Sequence, residues 1–140
     1  MSTDLTALFV SLKPRFAEMI LAGEKTVELR RVRPAVSPGA LVVLYASSPV
    51  KEVVGTGRVA AIEASSPSAL WNSHGPLSGL SRREFRGYFA GVGEGVAISL
   101  ADVRRLPEPV PLIELRRRWR GFRPPQSFRY LDAVQVASVV

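Results

Sequence analysis

The run Leu8 to Leu12 is apolar apart from Ser11 and ends at Lys13-Pro14, which predicts a short strand feeding directly into a helix. Proline suits a first helical turn, where its missing N–H has no intrahelical partner to lose. From Pro14 to Ala22 the positions Phe16, Ala17, Met19, Ile20 and Leu21 form an apolar stripe, while Arg15, Glu18 and Glu24 fall outside it. Gly23 is placed to stop that helix. Thr26 to Arg30 then changes period. Val27 and Leu29 fall on one face and Thr26, Glu28 and Arg30 on the other, the alternation of a half-buried strand.

Arg31, Val32 and Arg33 lead to Pro34, and the turn Ser37-Pro38-Gly39 delivers the chain into Ala40 to Ala46, a predicted central strand. After the loop Ser47-Ser48-Pro49, Lys51 to Glu63 reads as a long strand in which Gly55 and Gly57 permit the bend of a curved barrel. Ser65-Ser66-Pro67 opens a short helix through Leu70 and Trp71, and Asn72 to Leu80 is expected to be a mobile loop. Ser81 and Glu84 have capping-box spacing ahead of a helix that carries Phe85, Tyr88 and Phe89 on one face and stops at Gly91. Val96 to Leu106 is a further strand, which Pro107, Pro109 and Pro111 are expected to break. Leu112 to Trp119 fits a short helix and Arg120 to Gln126 a loop, with Phe128 to Leu131 and Val134 to Val139 as closing strands. Neither a repeat nor a long linker divides the chain, so one domain over residues 1–140 is expected.

Composition narrows the setting. A chain of 140 residues with 46% hydrophobic and 22% charged side chains suits one folded core. The absence of cysteine removes disulfides, thiolate metal ligands and cysteine nucleophiles, as befits the cytoplasm. Met1 to Thr6 lacks the basic and apolar pattern of a secretory signal, and no apolar stretch nears the roughly 20 residues that span a bilayer. A soluble, cytoplasmic protein with no membrane partner is expected. The formal charge of +7 favours polyanions, nucleic acid foremost. Arginine richness also follows from genome base composition, so position must decide. The only lysines are Lys13, Lys25 and Lys51.

Chemistry concentrates in Gly23 to Arg30, where a helix stops, a lysine sits in the turn and a strand presents acid and base together. Lys25 suits a phosphate as a point charge, whereas Arg30 and Arg31 offer planar forks for a phosphate or a base edge. Glu28 is either their structural ion-pair partner or an acceptor for the exocyclic amine of cytosine or adenine. Lys13 and Lys51 are expected at the same opening, and the hydroxyls of Ser47 and Ser48 fit an anion cradle there or an ordinary turn. Gln126, Ser127 and Tyr130 make a base-stacking and edge-reading set beside Phe128, which is better suited to the core. Trp71 with His74 is a candidate lid over the cleft. A lone histidine is a poor metal ligand, so neither metal nor other cofactor is expected. Arg116, Arg117, Arg118 and Arg120 around Trp119 suit a nucleic-acid backbone track or a solvated helix face.

The octet Gly23-Glu24-Lys25-Thr26-Val27-Glu28-Leu29-Arg30 resembles the signature of the ASCH family, relatives of the PUA RNA-binding barrel. Ser11 to Ala17, Tyr45 to Lys51 and Pro124 to Leu131 are similar to a bacterial branch of that family, so the resemblance covers nearly the whole chain. It implies an α+β fold, a PUA-like small, closed, mixed β-barrel of about six strands with flanking helices, and a cleft lined by the Gly-Lys-Glu-Arg strand. The function it implies is binding of RNA or single-stranded nucleic acid, or of a nucleoside or nucleotide, modified ones included, by a monomer or weak dimer. The alternative is a metal-independent hydrolase. One related branch hydrolyses the amide of acetylated cytidine with a lysine in this turn and a threonine nucleophile three residues on; here that position is Glu28, and Thr26 is the nearest hydroxyl. A ribonuclease would instead need a base for the 2′-hydroxyl, an acid for the leaving oxygen and cations for the developing charge, roles open to Glu28, Lys25 and Arg30 without metal.

Overall fold

The structure, a computed structural model, describes residues 7–140; the secretory-signal reading concerns residues 1–6 and lies outside them. Strands β1 (Ala7–Leu12), β2 (Val27–Arg30), β3 (Leu41–Ala46), β4 (Glu52–Ser65), β5 (Gly95–Pro111) and β6 (Phe128–Leu131) form one sheet in the order β2-β5-β4-β3-β1-β6. β1 runs parallel to β3 and the other neighbours pair antiparallel. A parallel pair needs a long crossover. Here it contains α1 (Pro14–Leu21) and β2.

Strand alternation sorts the side chains into layers. Leu8, Val10 and Leu12 of β1 join Val42, Leu44 and Ala46 of β3 on the concave face, which α1 plugs with Ala17 and Ile20. Ala7, Phe9, Val43 and Tyr45 point the opposite way and are covered by Leu115 of α4 (Leu112–Arg118), by Trp119 and Phe122, and by Val139 beyond α5 (Ala133–Ala137). Phe9 is the hub of this second layer, with ring centroids 5.3 Å from Tyr45 and 5.1 Å from Phe122. Val27 and Leu29 of β2 pack on Leu70 of α2 (Pro67–His74) and on Phe85 and Phe89 around α3 (Arg82–Tyr88).

The six strands make a half-barrel with flanking helices rather than the closed barrel expected, because its two outer strands, β2 and β6, share no ladder. The bend expected at Gly55 and Gly57 is present as shifts of register along β4 and β5. At Gly55 a Cβ would lie 2.6 Å from the Arg104 carbonyl oxygen and 2.6 Å from a Leu21 methyl, so only hydrogen fits between α1 and β5.

Three further expectations are corrected. Pro107, Pro109 and Pro111 do not end β5, because β2 covers only Val96–Ser99 and the later stretch has a free edge where a missing N–H costs little. Val134 to Val139 is not a strand: Asp132 and Gln135 form a capping box that starts α5. Asn72 to Leu80 is no open loop either, since α2 runs to His74 and a 3-10 turn covers Gly75–Leu77, with Ser78 buried.

Gly55→Ala is expected to lower unfolding stability by about 1–3 kcal/mol through overpacking. Urea denaturation checks this, and an unchanged midpoint would mean that α1 yields freely.

Candidate functional site

Arg30 leaves the end of edge strand β2 and reaches across the open side of the half-barrel. Its Nη1 donates to Ser127 Oγ at 2.9 Å and its Nη2 to the Ser11 carbonyl oxygen at 3.0 Å. Those acceptors are themselves joined, because Ser11 N donates to Ser127 O at 2.9 Å. A planar guanidinium with several fixed donors suits such a crossing. Behind it, Glu28 places Oε2 against Arg30 Nη2 and Oε1 3.1 Å from Lys25 Nζ. Lys25 also donates to Val27 O at 2.8 Å and to Ser78 O.

Lys25, Glu28 and Arg30 are 3%, 9% and 8% exposed. Charges this deep need partners, since each loses several kcal/mol of hydration. One carboxylate between two cations leaves a single positive excess at the floor. The bond from Lys25 to Ser78 also fixes the connection into α3. There Ser78 Oγ donates to Gly75 O at 2.7 Å and accepts from Leu80 N at 3.2 Å.

Above this floor is a cleft of about 740 Å³ between α1, α3, β2 and the turn at Pro125-Gln126. Phe16, Leu12, Leu29, Leu80, Tyr88 and Pro125 make its walls largely apolar, and Lys13, Ser47, Glu84, Gly87 and Gln126 also line it. Arg15 lies 4.3 Å over the Phe16 ring and pairs with Glu84, tying α1 to α3. The Ser81 backbone N–H holds the Glu84 carboxyl below the usual carboxylate range, aided by the Ser81 hydroxyl and Arg15. Burial pushes the Tyr88 phenol up, a shift that Arg30 opposes. Arg30 Nε and Ser11 Oγ, both in residues lining the cleft, are buried without a hydrogen-bond partner among the described residues.

Of the residues singled out in the sequence, Lys13, Lys25, Glu28, Arg30, Ser47 and Gln126 line this cleft. Lys25 lies at the floor, held by Glu28, Val27 O and Ser78 O. Ser127 serves the site through Arg30. The others lie elsewhere. Arg31 docks on Tyr88, donating from Nε to its carbonyl oxygen at 2.8 Å, with the guanidinium 4.8 Å from the ring centroid. Tyr130 accepts from Ala35 N at 2.9 Å. Thr26 is tied by its backbone to Leu77 and Leu100 and is not among the residues lining the cleft. Ser48 is exposed outside the cleft, and Lys51, at φ 55°, accepts from Leu112 N at the start of α4. Trp71 packs 5.0 Å from Phe85 and His74 lies 2.9 Å from Glu63, so they form no lid.

Sequence reasoning missed Phe16 and Tyr88 as cleft walls, because helical spacing placed both on core-facing stripes. Both sit at the edges of those stripes and are only half-buried. No cluster of three or more metal-ligating side chains occurs among the described residues, and none of their helices is long and apolar enough to cross a membrane.

Residues 10–106 match the model of the ASCH domain. The chain belongs to the ASCH domain family. An ASCH domain-containing ribonuclease from Zymomonas mobilis is 35% identical over 137 residues, which span 98% of this chain and 92% of that protein. The crystal structure of ASCH from Zymomonas mobilis matches with a TM-score of 0.89 at 34% identity, over 94% of this chain and 91% of that one. Human THYN1 in complex with 5-methylcytosine-containing DNA shares the fold, with a TM-score of 0.61 at 15% identity, over 96% of this chain and 95% of that one.

Glu28→Gln keeps the shape of the side chain but leaves two buried cations without an anion. It is expected to cost about 3–5 kcal/mol of stability. Chemical denaturation reads the loss, and a midpoint like that of the unsubstituted protein would deny Glu28 its bridging role.

Proposed function

We propose that this ASCH domain, acting as one cytoplasmic domain, binds RNA or single-stranded nucleic acid by admitting an unpaired base to the cleft. The observation that carries this reading is the pairing of two half-buried aromatic walls, Phe16 and Tyr88, with a floor that bears one excess positive charge. A base presents a π-face to such walls and polar edges to such a floor. Arg30 and Ser11 belong to the floor below these walls, where the Arg30 charge attracts a phosphate or a base oxygen. At the rim, Lys13 contributes a solvent-exposed charge for the adjoining phosphate and Gln126 an amide for a base edge. Ser47, Ser48 and Lys51 belong to the turn beside this rim. The fold neighbour that holds 5-methylcytosine-containing DNA is consistent with nucleic acid as the partner.

A second reading, cleavage of the bound RNA, is favoured by the 35% identical relative, which is a ribonuclease. In that reaction a 2′-hydroxyl oxygen attacks the adjacent phosphorus, a base takes its proton, and the P–O5′ bond breaks as the 5′-oxygen takes a proton from water, giving a 2′,3′-cyclic phosphate. In this reading Glu28 of the cleft floor takes the first proton and Arg30 stabilises the developing charge.

Tyr88→Ala is expected to weaken binding of a short single-stranded RNA by about 10–100-fold, the value of one base–aromatic stack. Fluorescence anisotropy measures it, with circular dichroism confirming the fold. Unchanged affinity would remove the base from this cleft. Incubating the purified protein with RNA in a chelator separates the two readings: cyclic-phosphate ends support cleavage, and intact bound RNA supports binding alone.

A further inference from the structure

Some arginines of this chain are paired with carboxylates and others are not. Arg117 and Arg118 are engaged by Glu114 at 3.3 and 3.0 Å, Arg105 by Glu18 at 3.1 Å, and Arg15 by Glu84. Arg116, Arg120, Arg123 and Arg129 have no carboxylate within 4 Å among the described residues, and all four are exposed. Two of these four contact Phe122 and the other two flank it in sequence. Arg116 donates from Nε to the Phe122 carbonyl oxygen at 3.3 Å, and the Arg129 guanidinium lies 5.1 Å from the Phe122 ring centroid. Arg120 and Arg123 flank Phe122 in the turn that Gly121 makes at φ 71°. Phe122 itself is 3% exposed and wedged against Phe9 and Trp119, so it gives Arg116 and Arg129 a fixed support.

We propose that Arg116, Arg120, Arg123 and Arg129 form a second phosphate-binding surface, which holds the backbone of the single strand whose base occupies the cleft. The inference rests on the cleft reading and extends it to the partner's length. The same turn continues into Pro125 and Gln126 of the cleft wall, four residues from Phe122 and so within about 14 Å of it even along extended chain. Guanidiniums without carboxylate partners release counterions when phosphates replace their diffuse anions, and the fork geometry suits phosphate oxygens. A protein partner fits less well, because protein interfaces centre on exposed apolar anchors with few charges. Here the apolar residue at the centre is buried.

The test compares a trinucleotide with an RNA of about twelve nucleotides, using the unsubstituted protein and a variant carrying Arg116→Gln, Arg120→Gln, Arg123→Gln and Arg129→Gln. Expected is retained trinucleotide affinity, which also reports an intact fold, with longer RNA bound about tenfold or more weakly. The salt dependence for the longer RNA should lose a slope of about 3, at roughly 0.7 per phosphate contact. Lysine at the same four positions should restore most of that slope. Loss of both affinities in proportion, or of neither, overturns the second surface while leaving the cleft reading intact. Competition by a polyglutamate peptide as effective as that by RNA of equal charge also overturns it, in favour of an acidic protein. If the unsubstituted protein binds neither RNA, the cleft reading falls and this surface with it.

Discussion

A guanidinium bridging two strands that share no ladder holds this site together. Arg30 extends from β2 to Ser11 and Ser127, and so joins the ends of the half-barrel by side chain rather than by backbone pairing. A lone arginine at this depth would be costly. Glu28 offsets that cost on one side, and Lys25 in turn balances Glu28 while clasping Ser78. The three charges act as one fastening, and the cleft is the space the fastening leaves open.

The shape of that space follows from the layers around it. α1 plugs the concave face, α3 packs on Val27 and Leu29, and the turn before β6 supplies the remaining wall. Each wall comes from an element with its own buried anchors, among them Ile20 on α1 and Phe85 on α3. The aromatic sides are therefore preformed. A preformed apolar slot over a charged floor selects a flat, polar-edged guest. Of the uncompensated arginines around Phe122, Arg120 and Arg123 lie along the turn that leads to it.

Much of this was legible in the chain. The alternation from Thr26 to Arg30 placed Glu28 and Arg30 on one face, and the Ser81–Glu84 spacing marked the start of α3. The same alternation puts Arg31 opposite Arg30, so grouping the two as ligands ran against the strand's own period. β2 was expected to be half-buried, yet all four residues are buried, because folding brings β1 and the turn before β6 over its polar face. At the C-terminus the valines suggested a strand, although Asp132 and Gln135 repeat the helix-start spacing found at Ser81. Phe16 and Tyr88 left no trace as cleft walls, since the edge of an apolar stripe looks like its centre until the opposing layer is in place.

The most direct test of the central claim is a two-dimensional ¹H–¹⁵N NMR titration with a short single-stranded RNA, following the Arg30 Nε–H resonance together with the backbone amides. The account predicts that Arg30 Nε–H shifts in step with the amides of Lys13, Ser47, Gly87 and Gln126. A bound state that moves resonances elsewhere and leaves these in place would contradict it.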